Sequence, residues 1–264
     1  MNAPEQVNCY DHPRYWDFAF SDETLFEADF IEAAAKKYSQ IPVQNLYEPG
    51  CGGGRLVVEM VKRGYQVTAC DTSQPALEYL RSRLNGTEQT EHIHHADMTD
   101  FCPPTPIDLA FNTVNTFRHL LTEDAAHTHL QTVADCLRPG GLYVLGLHLM
   151  PPDADEEDSE DWSVQEDDLR VNVFLEVENF SRETRLEQLR FELTVQDDDK
   201  HIRLQTTYTM RLYLADQMRS LLESVPDFEL CDVYDFCYDI DEPLELSDEL
   251  GDTVLILRRR SNCP

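Results

Sequence analysis

Positive charge is scarce in this chain. Its 264 residues hold 21 Lys and Arg against 51 Asp and Glu, a formal balance of −30, and only positions 36, 37, 62 and 200 are Lys. A composition that acidic argues against nucleic acid as a partner, because phosphate contacts are made by Lys and Arg. It disfavours an anionic membrane surface for the same reason. No apolar run approaches the ~20 residues needed to cross a bilayer. The opening residues lack a basic stretch followed by an apolar one, so no secretory signal is read there. The eight cysteines (9, 51, 70, 102, 136, 231, 237 and 263) include no C-x-x-C pair and no zinc spacing. Several fall in expected strands or helices as small buried hydrophobes, so the expected compartment is a reducing cytoplasm.

What the chain does have is a glycine turn in the right setting. Ile41 to Tyr47 is a short β-prone run, and Leu56 to Arg63 puts its apolar residues on one helical face before stopping at Gly64. Between them stands Glu48-Pro49-Gly50-Cys51-Gly52-Gly53-Gly54-Arg55. A strand, a tight glycine turn and a helix make the first unit of a nucleotide-binding α/β fold, with free N–H groups at the helix start. Glu48 selects among nucleotides. A carboxylate repels a pyrophosphate but suits a cationic amino-acid moiety. The string resembles motif I of class I S-adenosylmethionine-dependent methyltransferases, written E-x-G-x-G-x-G. Small-molecule members often read E-x-G-C-G-T-G-R, and here Gly53 replaces the Thr.

Further landmarks follow in order. Tyr65 to Cys70 alternates as a strand ending at Asp71, 23 positions after Glu48, where such folds place an acid that accepts from ribose hydroxyls. A helix to about Leu84 stops at Asn85-Gly86, and a third strand at about 91–95 leads to Ala96-Asp97-Met98. The resemblance implies that Asp97 meets the adenine amino group and Met98 packs on the base. It extends cofactor contact to Gly50, Cys51, Gly52, Gly54, Arg55, Thr72, Asn112, Asn115 and His119. His92, His94 and His95 alternate across a strand and do not converge, so no metal site is expected. The fourth strand, Ile107 to Phe111, precedes Asn115-Thr116-Phe117-Arg118-His119-Leu120, which resembles the N-S-F-x-H-L segment of glycine and sarcosine N-methyltransferases. A helix capped by Thr122 runs to Leu137, and Leu137-Arg138-Pro139-Gly140-Gly141 opens the fifth strand, another trait of the family.

Outside these landmarks lie four further stretches. Residues 8–20 are rich in aromatics and read as an N-terminal lid, with Tyr10 and Tyr15 as cofactor contacts. Asp22 is the expected cap of a helix over 22–39 whose face is Phe26, Phe30, Ala33, Ala34 and Tyr38. Ten of the sixteen residues at 153–168 are acidic and read as a solvated loop. Residues 169–177, 186–195 and 201–213 alternate at period two as a three-stranded antiparallel meander. A helix (215–224), a strand (228–237) and Thr253 to Leu257 close the chain.

The expected fold is therefore α/β, a Rossmann-like seven-stranded methyltransferase sheet with helices on both faces and an inserted antiparallel β meander. One domain is expected over 1–264, with the arm at 1–21, the core at 22–150 and 214–260, and the insert at about 165–213. The resemblance implies S-adenosyl-L-methionine as cofactor and direct methyl transfer to a small-molecule acceptor, by a monomer or homodimer. His119 is the candidate general base, or else a hydrogen-bond partner of the cofactor. His148, Tyr208 and Arg211 are candidate substrate contacts. The rival readings are a non-catalytic cofactor-binding protein and an NAD-linked oxidoreductase, against which Glu48 speaks.

Overall fold

Strands and helices alternate through the first half of the chain as its patterning requires. The computed structural model describes residues 5–154 and 159–261. A two-residue strand β1 (Glu5–Gln6) and helices α1 (Pro13–Ala19) and α2 (Thr24–Tyr38) lead to β2 (Asn45–Pro49), α3 (Arg55–Lys62), β3 (Gln66–Asp71) and α4 (Gln74–Arg83). Then come β4 (Ile93–His95), β5 (Ile107–Asn112), α5 (Glu123–Cys136) and β6 (Leu137–His148). After them stand β7 (Ser159–Glu166), β8 (Leu169–Ser181), β9 (Leu186–Asp197) and β10 (Lys200–Arg211), and the chain closes with α6 (Ala215–Glu223), β11 (Phe228–Tyr234) and β12 (Asp252–Arg259).

Seven strands form one sheet in the order β11-β12-β6-β5-β2-β3-β4. β12 runs antiparallel to both its neighbours, which gives the reversed final hairpin. The order changes direction at β2, so the carboxyl ends of β2 and β5 diverge and leave a crevice there. Both faces are covered. Leu56, Val57, Met60, Leu77 and Leu80 pack on one side with Phe30 and Ile31, while Leu130, Val133, Met218 and Leu221 cover the other. At the start of β6, Ile107 pairs with Leu137 but Leu109 pairs with Leu142, so Arg138 to Gly141 bulge out of the ladder. Asp108 holds that corner by accepting from the Gln44 and Asn45 amides and from Arg138.

The second sheet differs from the expected insert. It has five strands, β1-β10-β9-β8-β7, of which four are an antiparallel meander and β1 joins parallel to β10 from the N-terminal arm. The extra strand β7 lies inside the acidic run. Its acids face solvent while Val164 is buried and Trp162 half-buried, so residues 159–166 are not a loop. Residues 155–158 of that run, 1–4 of the arm and Cys263 lie outside the described residues. Helix α2 also starts later than expected, because Ser21 to Glu23 form a 3-10 turn and no side chain caps the helix. Phe26 is 66% exposed, and the buried face is instead Glu27, Ala28, Phe30, Ile31 and Ala34. Cys102 and Cys136 are paired in a disulfide, which departs from the expectation of a reducing compartment in which several cysteines are small buried hydrophobes. No helix among the described residues is long and apolar enough to cross a membrane.

Candidate active site

The crevice at the carboxyl ends of β2 and β5 is floored by the glycine turn. Gly50, Gly52 and Gly54 all have positive φ. Gly54 caps α3 at φ 75°, and a Cβ there would lie 2.3 Å from Leu80, so this turn takes glycine only. Asp71, at the end of β3, fastens the turn from the side. Its carboxylate accepts from the Gly52 amide at 2.7 Å and from the Ser73 amide at 2.7 Å. Glu48 is 9% exposed, and its Oε2 is buried without a hydrogen-bond partner among the described residues. Burial holds its pKa well above the ordinary carboxylate value, against the pull of Arg55. Arg55 in turn pairs with the fully buried Glu27 at 2.5 Å. An orphaned, desolvated carboxylate oxygen at a nucleotide turn fits a cationic ligand group.

The opposite wall is the loop after β5. Asn115 sits at φ 53°, a conformation rare for a non-glycine residue, and its side chain explains why it is held there. Its Oδ1 accepts from the His148 amide at 2.9 Å and its Nδ2 donates to His148 Nδ1 at 3.0 Å. Nδ1 being an acceptor, the His148 proton lies on Nε2, which faces Asp252 at 3.2 Å. Beside it, Arg118 is 3% exposed, donates to the Arg211 carbonyl at 2.9 Å and pairs with Glu187 of β9. His119 Nε2 lies 2.9 Å from the Tyr10 hydroxyl of the arm. Burial, then Arg118, push the pKa of both His119 and His148 down to about 4. Both imidazoles are therefore neutral at physiological pH. Burial, then Tyr208 and Asp71, keep the Tyr10 hydroxyl protonated.

Between these walls lies a cavity of about 1480 Å³, roofed by the arm and the second sheet. Tyr10, Glu48, Gly50, Cys51, Gly52, Arg55, Asp71, Thr72, Asp97, Met98, Asn115, His119, His148 and Tyr208 all line it. Four expected site residues do not. Tyr15 points outward to Asp197, and Gly54 is covered by Leu80. Asn112 is a buried tie between the Pro49 carbonyl and the Tyr143 hydroxyl, and Arg211 is bound to Glu123 and the Leu121 carbonyl. His94 packs on Phe101 and His95 meets the Thr72 carbonyl, whereas His92 ends a 3-10 turn ahead of β4, so only two of the three histidines lie on the strand that was expected to hold them all. Asp97 Oδ1 accepts from the Thr99 amide and hydroxyl. Several lining residues escaped the sequence reading, among them Trp16, Arg118, Glu187, Phe191 and Asp252. Trp16 packs 4.5 Å from Tyr10 and 4.6 Å from Phe191, which makes an aromatic roof. Its place in the aromatic-rich stretch at 8–20 was the available signal.

Residues 47–141 match the family model of a methyltransferase domain. A protein of Geobacillus sp. (strain WCH70), named only provisionally as a methyltransferase, is 24% identical over 141 residues, which is 53% of this chain and 57% of the relative. The chain thus spans little more than half the length of that curated relative. A solved S-adenosylmethionine-dependent methyltransferase from Clostridium acetobutylicum ATCC 824 is similar at a TM-score of 0.77 and 16% identity, covering 96% of this chain and 100% of its own. An amino pentose methyltransferase from Micromonospora echinaspora, solved with SAM bound, gives a TM-score of 0.69 at 17% identity over 98% and 100%. At these identities the two structures establish a shared fold.

Proposed function

We propose, from the methyltransferase-domain match at residues 47–141 and the shared fold, that the chain methylates an amine of a small-molecule acceptor with S-adenosylmethionine. The observation that carries the cofactor assignment is the buried, unpartnered Glu48 Oε2 at the glycine turn. It suits the ammonium of the cofactor's methionine part, with Arg55 near the carboxylate, Asp71 at the ribose and Asp97 and Met98 at the base. NAD has no such ammonium to offer, and its pyrophosphate meets a carboxylate there. When bound, S-adenosylmethionine supplies an activated methyl group on a sulfonium; the protein's task is alignment.

The acceptor side follows from the second wall. With His119 Nε2 accepting from Tyr10, the Tyr10 oxygen keeps its lone pairs for an N–H of the acceptor. A histidine held to a pKa of about 4 is a poor match for an ammonium proton, so its role is to orient Tyr10. Asp11, Asp22 and Glu23 also line the cavity, and its two arginines are paired with Glu27 and Glu187. That sign favours cationic or zwitterionic acceptors over phosphorylated ones. The amino pentose methyltransferase of similar fold agrees with this choice. The second sheet and the arm form the acceptor wall, and the arm is the lid. The reading is tested by calorimetry with S-adenosylhomocysteine and NAD, followed by a methyl-transfer screen of amines, phenols, thiols and carboxylates. Preference for NAD would overturn the cofactor, a best acceptor that is a multiply charged anion would overturn the substrate class, and binding without turnover would favour a non-catalytic role.

A further inference from the structure

Three of the four glycines in the turn have positive φ, and Gly53 is the exception. Its backbone would admit a side chain; its surroundings would not. A Cβ at Gly53 would lie 2.6 Å from Asp17 Oδ1 and 2.8 Å from both Cγ and Oδ2. Asp17 belongs to α1 of the arm and is 8% exposed. Its Oδ2 accepts from Arg83 Nη1 at 2.5 Å, and the same Nη1 donates to the Gly53 carbonyl at 3.0 Å. One guanidinium at the end of α4 thus holds the arm and the turn together. Burial pushes the Asp17 carboxyl up to about 6, against Arg83 and Arg55. That seating is unfavourable for a carboxylate unless the clasp is assembled.

We infer that Asp17 is a positioning residue, whose carboxylate fills the space left by Gly53 and, through Arg83, clamps the N-terminal arm onto the cofactor turn. The inference rests on the methyltransferase reading for its ligand. With the clasp closed, Tyr10 is held at His119 and the turn is shielded from water. Release of the cofactor requires the clasp to open. Any side chain at position 53 would displace the Asp17 carboxylate, so Gly53 and Asp17 act as a pair.

Trp16 and Trp162 are the chain's two tryptophans. Trp16 adjoins Asp17 and Trp162 donates to the Ala19 carbonyl at 2.7 Å, so intrinsic fluorescence reports on the arm. The experiment compares the full chain with Gly53→Ala, Asp17→Ala and the double variant, with Asp17→Asn as the conservative control and circular dichroism to confirm folding. In ligand-free protein, Gly53→Ala should raise acrylamide quenching as much as Asp17→Ala does, and the double variant should add nothing. Dissociation of S-adenosylhomocysteine should quicken roughly tenfold in either single variant and no further in the double, as expected for strongly coupled neighbours. Asp17→Asn should fall between. Equal, additive effects of Gly53→Ala in both backgrounds, or unchanged quenching, would overturn the clasp while leaving cofactor binding intact. Failure of the unaltered protein to bind S-adenosylhomocysteine would instead overturn the cofactor reading, and with it the ligand role of the clasp.

Discussion

Arg118→Met should be among the most damaging substitutions in this protein, and Glu187→Leu should largely repair it. Arg118 comes from the loop after β5 and Glu187 from β9, so their pairing joins the two sheets. The side chains are 4% and 5% exposed. Removing the guanidinium leaves a desolvated carboxylate, a loss of about 3–5 kcal/mol for a broken buried pair. It also strips the Arg211 carbonyl of a donor at 2.9 Å, which adds about 1 kcal/mol. A loss of ~5 kcal/mol lowers the melting temperature of a chain this size by about 10–20 °C. Replacing both partners with apolar side chains removes the stranded charge, so the double variant should recover most of that loss. Urea unfolding of the four proteins in a double-mutant cycle measures the coupling directly. If the two single losses simply add, or if each is below ~1 kcal/mol, the pair is solvated and the sheets are not joined there.

Glu48→Gln should weaken S-adenosylmethionine by about 1.5–3 kcal/mol, the range of a hydrogen bond to a charged group; calorimetry showing no change would place the ammonium elsewhere. Tyr10→Phe should lower kcat by about 10- to 100-fold with little effect on cofactor affinity, because it removes alignment rather than binding; unchanged turnover would remove Tyr10 from the reaction centre. Stability should fall on acidification. His119 and His129 have folded pKa values of about 4 against an ordinary 6.5, so the unfolded chain takes up protons first and stability is lost as the pH drops from 6.5 toward 4. Each titrating group contributes a slope of at most ~1.4 kcal/mol per pH unit. Asp17, raised to about 6, opposes this in sign, since a raised carboxyl favours the fold as the pH falls through 6. Equal urea midpoints at pH 7 and pH 5 would contradict the balance.

The core was legible because its signals are local. Glycine spacing, Asp71 at a strand end and the Leu137–Gly141 stretch each lie within a few residues of the element they punctuate. Strand β7 was hidden because acids outnumber apolar residues in it; only its pairing with β8 makes Val164 and Trp162 the informative positions. Phe26 misled because an apolar residue at helical spacing reads as inward, whereas Arg55 makes the neighbouring Glu27 the better side chain to bury. Arg118 and Glu187 could not be matched from sequence, since 69 residues separate them and either alone resembles a surface charge. Arg211 failed as a substrate contact for a related reason: Glu123, on another element, turns it away from the cavity.

The arm's place in the chain sets an order of events during synthesis. Its docking partners are made much later: Arg14 meets Asp197 across 183 residues, and β1 pairs with β10. At a translation rate of ~5–20 residues per second, the arm emerges about 10–40 s before the surface that receives it. Through that interval Tyr15, Trp16, Phe18 and Phe20 have no second sheet to pack on. The nascent chain thus carries adhesive aromatic residues near its start while the seven-stranded sheet is still incomplete, and a truncation before β7 would leave them in that state permanently.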